Sequence, residues 1–125
     1  MLAGVVAGVA AAGLGAWMAV AGVDPGVAAA HRQLNILGLL GLSIVGAAYQ
    51  FYPPAVGPWR FSTDRTARVS IAALAGGLAV QSAGLIAGWP AVTAVGEAVG
   101  AFGAALFGLL VVGLFVARGE LTAGF

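Results

Sequence analysis

Few side chains in this sequence could do chemistry, and most of them lie within long apolar stretches. The only histidine, His31, begins a series spaced by three or four positions, which would share one face of a helix. The series is His31, Asn35, Gly38, Leu42, Val45 and Tyr49. An imidazole can bind a metal or exchange a proton near neutral pH. This face is the first candidate site, and the alternative is a histidine that is merely solvated near a helix start.

A second group of polar residues comes later in the chain, at Gln81, Ser82 and Glu97. Polar groups inside a membrane span are costly and therefore need partners or a function. One interpretation is a polar or cofactor site, and the other is hydrogen bonding between helices, which is common in membrane bundles. Glu97 is ionisable and either pairs or functions, with Arg32 as a candidate partner.

The residue types that are missing exclude several classes of function. The chain has no cysteine, which excludes disulfides and thiolate-bound metals. It holds no Ser-His-acid set and no phosphate-binding loop, so nothing indicates an enzyme. A transition-metal site built from protein ligands alone would need several subunits, because each chain has 1 histidine. A net charge of +1 argues against a nucleic-acid partner.

The composition indicates what positions these residues. Hydrophobic residues make up 62% of the chain and charged residues 7%, whereas a soluble domain has roughly a quarter charged residues. We therefore predict an all-α membrane protein, a bundle of four transmembrane helices forming a single domain over residues 1–125 and contacting the lipid bilayer. The expected spans are residues 2–23, 28–52, 68–88 and 91–117. The first is expected to be a retained helix, since no basic segment precedes it.

The arginines predict how the chain crosses the membrane. Arg60, Arg65, Arg68 and Arg118 lie on the side of the termini and the central loop, and Arg32 lies on the other side. The positive-inside rule then places both termini in the cytoplasm of a multi-pass cell-membrane protein. In this topology five polar residues share the outer half of the bilayer: His31, Asn35, Gln81, Ser82 and Glu97.

Glycine is abundant, with 21 residues, which is normal for membrane helices that pack closely. Gly4 and Gly8 form one small-xxx-small pair, and Gly96 and Gly100 form another that Gly103 continues. These pairs predict tight helix crossings, and we expect such short helices to self-associate as a homo-oligomer, with a dimer favoured. Gly38 could instead make room for a flat cofactor against the backbone.

One segment resembles a known family. The stretch His31-Arg32-Gln33-Leu34-Asn35-Ile36-Leu37-Gly38, with the later Gly46-Ala47-Ala48-Tyr49 and Tyr52-Pro53, resembles the second helix of the heme-copper oxidase catalytic subunit. It is more similar to the small four-helix membrane proteins related to that subunit. Relatives often have a second histidine where Gln33 stands and an aromatic residue where Leu39 stands. The binuclear copper site needs further histidines that this chain lacks, which excludes oxygen reduction.

The resemblance implies a single b-type heme with His31 as an axial ligand near the extracytoplasmic side. A second ligand would come from His31 of a second copy or from Met18. Asn35 would orient the imidazole or meet a propionate, and Arg32 would pair with a propionate. The function implied is electron transfer, heme handling or sensing. Two alternatives stay open: an accessory subunit of a membrane complex, and an oligomeric channel or transporter that uses Glu97, Gln81 and Asn35.

Overall fold

The computed structural model of the protein describes residues 2–56 and 63–123, and within these ranges the chain is helical apart from two short connections. The helices are α1 (Leu2–Ala21), α2 (Pro25–Gln33), a π-helix (Leu34–Leu42), α3 (Ser43–Val56), α4 (Thr63–Ala87) and α5 (Pro90–Ala123). Trp59 and Arg60, which the sequence assigns to the central loop, lie outside the described residues.

These elements form four continuous helices, because α2, the π-helix and α3 follow one another without interruption. We call this composite helix the second span (residues 25–56). Each of the four helices contains a stretch long and apolar enough to cross a membrane: Leu2–Ala21, Pro25–Phe51, Asp64–Ala87 and Pro90–Gly113. Large apolar side chains such as Val20 point outward, 90% exposed. The predicted fold class, an all-α multi-pass membrane protein with four spans, is confirmed.

The second span begins three residues earlier than the predicted residue 28, at Pro25. Asp24 caps it, because its Oδ1 accepts hydrogen bonds from the backbone N–H groups of Gly26 at 2.8 Å and Val27 at 3.0 Å. A proline at the first helical position loses no hydrogen bond, since that N–H would have no partner within the helix. Asp24 and Pro25 therefore end the connection that follows α1 and start the next helix.

The other predicted boundaries also shift: α1 ends at Ala21 instead of residue 23, α5 continues to Ala123 instead of residue 117, and two further differences involve prolines and an acidic residue. Pro53 and Pro54 were expected to stop the second span near residue 52, but the helix continues to Val56. The fixed φ of proline fits a helical backbone, so it weakens the preceding turn without ending the helix at once. Helix α4 begins at Thr63 instead of residue 68, with Asp64 in its first turn. An acidic residue there interacts favourably with the helix dipole.

The connection between α4 and α5 is as tight as predicted. Gly88 has a φ of +67°, a left-handed conformation that favours glycine. The N–H of Trp89 donates to the carbonyl of Gly84 at 2.8 Å, and that of Gly88 donates to Leu85 at 3.3 Å. This is the Schellman arrangement that satisfies the last carbonyls of a helix. Pro90 then starts α5.

Helices α4 and α5 form the most extensive helix–helix contact in the described structure, and glycines allow it. A Cβ on Gly77 would meet the backbone of Gly100, and one on Gly96 would meet the backbone of Gln81. A Cβ on Gly103 would come within 2.8 Å of the backbone of Leu74. The predicted tight crossing through Gly96, Gly100 and Gly103 is confirmed.

The second span lies between α1 and the α4–α5 pair. Gly4 and Gly8 of α1 pack against Leu39 of the π-helix, which confirms their predicted role in a helix crossing. A small apolar core joins three helices through Ala7, Ala11, Leu34, Leu42 and Leu78. Gly26 of α2 packs against the carbonyl of Leu85 in α4. The two short connections, residues 22–24 and 88–89, therefore lie at the same end of the bundle, which we call the turn end.

We predict different effects of two Gly→Ala substitutions on α5 on the free energy of unfolding. Gly96→Ala should lower the free energy of unfolding by about 1 to 3 kcal/mol, because the new methyl group overpacks the contact with α4. Gly108→Ala is the matched control, since a Cβ there has no neighbour within 4 Å. It should be neutral or slightly stabilising. Thermal unfolding in detergent measures both, and equal effects of the two variants would contradict the packing described here.

Candidate functional site

His31 belongs to the second span and faces α1, and both of its ring nitrogens are in polar contact. Its Nδ1 is 2.7 Å from the carbonyl oxygen of Ala11, a fully buried residue of α1. A carbonyl oxygen can only accept a hydrogen bond, so Nδ1 carries the proton and donates it. In the neutral imidazole Nε2 then keeps its lone pair.

Asn35 and Gly15 complete the surroundings of the imidazole. The Nδ2 of Asn35 donates to the backbone carbonyl of His31 at 3.0 Å and lies 3.3 Å from Nε2. Gly15 lies beside the ring, and a Cβ there would be 3.0 Å from the Cε1 of His31. The ring therefore has one tautomer and one orientation. A proton fixed on one nitrogen by a backbone carbonyl is the usual arrangement of metal-binding histidines.

Asn35 and Gly38 belong to the π-helix, which the sequence analysis did not predict. The predicted stripe assumed α-helical spacing, whereas the buried positions recur every fourth residue at Ala30, Leu34, Gly38 and Leu42. A π-helix has a wider turn, and such segments are frequent at functional sites. The pairing of His31 with Asn35 survives this change, because four residues still make about one turn.

Gly38 and Arg32 are the other two predicted cofactor-binding residues, and neither forms a hydrogen bond to the imidazole of His31. A Cβ on Gly38 would meet Ala7 of α1 and Leu78 of α4, so glycine here allows three helices to approach. Arg32 is exposed near the turn end. Their roles toward a cofactor stay predictions.

Gln81 and Glu97 form a polar pair between α4 and α5. The Nε2 of Gln81 donates to the Oε1 of Glu97 at 3.0 Å. This is the hydrogen bond between helices that the sequence offered as one of two interpretations. Within the described residues, Glu97 forms no ion pair with Arg32.

A groove of about 440 Å³ opens beside this pair, between the second span and the α4–α5 hairpin. Its polar lining residues, Gln33, Gln81 and Glu97, come from three different helices. The remaining lining is apolar: Leu37, Gly41, Leu42, Val45, Leu74, Leu78, Gly100, Ala101 and Ala104. We call it the polar-ended groove. The sequence alone shows Gln33 only as a departure from the family pattern. Its place in the groove could not be predicted, because the groove is formed by helices that are far apart in sequence.

A second cleft, of about 610 Å³, separates α1 from α4 and is lined almost entirely by apolar residues. Its one polar lining residue is Ser82, which is 5% exposed. The hydroxyl of Ser82 has no hydrogen-bond partner among the described residues. Tyr49 lies elsewhere, packed edge-to-face on Phe107 with the ring centroids 5.4 Å apart.

The predicted polar residues thus fall into separate places. His31 faces α1 with Asn35 beside it, Gln81 and Glu97 line the polar-ended groove, and Ser82 lines the cleft. All five lie in the half of the bundle nearer the turn end, and their placement in the outer half of the bilayer stays a prediction. The part of the chain that the structure describes brings no three His, Cys, Asp or Glu residues together as a metal site.

No family model, curated protein or solved structure matches this chain. The resemblance of residues 31–53 to the heme-copper oxidase relatives therefore stays a hypothesis based on that segment.

The Gln81–Glu97 hydrogen bond predicts energetic coupling between α4 and α5. A double-mutant cycle of Gln81→Leu and Glu97→Leu should give a coupling free energy of about 0.6 to 1.7 kcal/mol, typical of hydrogen bonds in membranes. The measurement is unfolding of each variant in detergent. A cycle of Asn35→Leu with Glu97→Leu is the control, because these residues share no partner and should be additive. Additivity in both cycles would show that the pair is not formed.

Proposed function

We propose that this protein binds a b-type heme through His31, in the cell membrane and as a homo-oligomer. One observation carries the proposal: the carbonyl of Ala11 holds the proton on Nδ1 and leaves Nε2 as a lone-pair donor. A neutral imidazole oriented in this way is the form that binds iron. The segment of resemblance, residues 31–53, independently suggests the same residue.

A heme iron could bind to Nε2 of His31 after one change in the surroundings of the imidazole. The contact from Asn35 to Nε2 is long, at 3.3 Å, so a stronger Lewis acid can replace it while Asn35 keeps its bond to the backbone carbonyl. Bound heme would supply one-electron transfer or gas binding. His31 lines neither the polar-ended groove nor the cleft between α1 and α4. A second copy of the chain would then supply the other side of the porphyrin site.

The oligomer belongs to the same proposal, because low-spin b-type hemes usually have two strong axial ligands. A two-fold axis would supply His31 twice. Met18 is the alternative within one chain, since it lies on the same face of α1 as Ala11 and Gly15, one turn further along. Arg32 is exposed one residue after His31 and is suited to pair with a propionate.

A second candidate function is that of an accessory subunit in a larger membrane complex. The cleft between α1 and α4 favours it, because this cleft extends from Leu2 at one end to Ile86 at the turn end. An apolar helix of a partner would fill such a cleft by van der Waals packing. This candidate predicts a stable complex with another membrane protein in a mild detergent and no bound heme.

The heme proposal predicts a visible spectrum. The purified protein, supplied with hemin, should show a Soret band and sharp α and β bands on reduction with dithionite. His31→Gly should lose them, and added imidazole should restore them, because free imidazole can occupy the vacated ligand position. A featureless spectrum of the wild-type protein after hemin addition would reject the proposal.

A separate variant distinguishes ligand loss from misfolding. His31→Gln keeps an N–H donor for the carbonyl of Ala11 but has no imidazole, so its helix content and elution volume should match those of the wild type. Its Soret band should be absent. Retention of the wild-type spectrum in this variant would assign the iron ligand to another residue.

The proposed orientation, with both termini in the cytoplasm, is testable by labelling because the chain has 0 cysteines. Val23→Cys lies in the connection at the turn end, where Val23 is 76% exposed. Intact cells should label it with a membrane-impermeant maleimide. Asp64→Cys, at the exposed start of α4, should be labelled only after permeabilisation. The reverse pattern would show the opposite orientation.

A further inference from the structure

We infer that the polar-ended groove binds a lipid whose head is a neutral hydroxyl group, such as a diacylglycerol or a prenylated hydroquinone. This site is distinct from the proposed heme site, since His31 does not line it. Three features of the groove support this inference: the depth of its polar end in the membrane, the hydrogen-bonding groups at that end, and the open shape of its apolar part.

The polar end lies below the level of the phospholipid headgroups. Gln33, Gln81 and Glu97 are six to eight residues from the helix ends at the turn end, about 9 to 12 Å at 1.5 Å per residue. The 24-residue span Pro90–Gly113 is about 36 Å long, against a hydrocarbon core of about 30 Å. With that span centred on the hydrocarbon core, these three side chains lie about 6 to 9 Å inside it. A charged phosphate or choline group at this depth costs much more free energy than a neutral hydroxyl group.

The hydrogen-bonding groups at this depth match a hydroxyl group. Glu97, which lines the groove, receives one hydrogen bond from Gln81 through Oε1, and this leaves Oε2 as a further acceptor. The amide of Gln33 both donates and accepts. A hydroxyl also does both, so it can satisfy the carboxyl group in either protonation state. An anionic head would be repelled by a carboxylate, and any charged head pays a large desolvation cost inside the membrane.

The apolar part of the groove is open because two of its lining positions have no side chain. A Cβ on Gly100 would meet nothing within 4 Å, and one on Gly41 would have its nearest neighbour at 3.5 Å. Gly41 belongs to the π-helix and Gly100 to α5. The volume of about 440 Å³ is within the range of small-molecule sites, which are mostly apolar with a few polar groups. An acyl or prenyl tail would lie along this apolar lining.

The test uses the full chain in phosphatidylcholine liposomes and a long-chain alcohol with a photoreactive diazirine in its tail. After illumination, mass spectrometry locates the labelled residues. We expect adducts concentrated on groove residues such as Val45 and Ala104, and competition by unlabelled diacylglycerol, by an alkyl hydroquinone, or by both. The competitor that displaces the probe identifies the source of the hydroxyl. Competition by neither, or equal labelling of the groove by a phosphatidylcholine probe, would overturn the inference.

Gly100→Leu supplies the matched variant, since its side chain would fill the groove without meeting another atom at its Cβ. Groove labelling should fall about tenfold or more, the effect of losing roughly 1.4 kcal/mol of binding. Gly108→Leu is the control, because Gly108 lies on the same helix, is exposed, and does not line the groove. It should label like the wild type. Equal labelling in both variants would contradict the site.

Two variants of Glu97 distinguish a hydroxyl head from a cationic one. Glu97→Leu should reduce labelling about tenfold, because the hydroxyl loses its hydrogen-bond partner. Glu97→Gln should stay within about threefold of the wild type, since an amide also donates and accepts. Loss of labelling in Glu97→Gln, together with stronger labelling by a long-chain amine probe, would overturn the hydroxyl assignment. His31→Gln should label normally, which keeps this test independent of heme binding.

Discussion

The whole structure depends on one constraint: a backbone inside lipid must satisfy its own hydrogen bonds, because no water is present to do so. Four helices follow directly from it. It also explains why glycines mark the crossings, since helices without polar contact attract each other only by close approach. At Gly96 and Gly103 even a methyl group would meet the backbone of α4. Polar side chains inside lipid also need hydrogen-bond partners, and such partners are present for four of them: His31, Asn35, Gln81 and Glu97.

The second span determines where the polar side chains lie, because it presents different faces to α1 and to the α4–α5 hairpin. One face carries His31, with Asn35 beside it, towards α1, and another carries Gln33 towards the α4–α5 hairpin. The polar groups near the turn end consequently form two separate sites instead of one. Two buried hydroxyl groups among the described residues depart from the general rule, that of Ser82 in the cleft between α1 and α4 and that of Tyr49. A partner atom from outside the chain would be stabilising at either of them.

The sequence predicts much of the fold and little of the site geometry. Long apolar runs separated by turn residues identify the four spans, and spacing along one helix pairs His31 with Asn35. The boundaries at Pro25 and Pro53 could not be predicted, because proline is compatible with both a helix start and a final turn. The π-helix has no residue signature that separates it from an α-helix. The polar-ended groove depends on which faces of three distant helices meet, and spacing within one helix carries no information about that.

The two polar clusters share a feature that bears on biogenesis. The hydrogen bond from His31 to Ala11 connects α1 with the second span, and the hydrogen bond between Gln81 and Glu97 connects α4 with α5. Each of these bonds therefore lies within one consecutive pair of helices. A helical hairpin of this kind can leave the translocon with its hydrogen bond already formed, before the other half is present. Packing of Leu34 and Leu42 against Leu78 then joins the two halves, the second stage of a two-stage assembly.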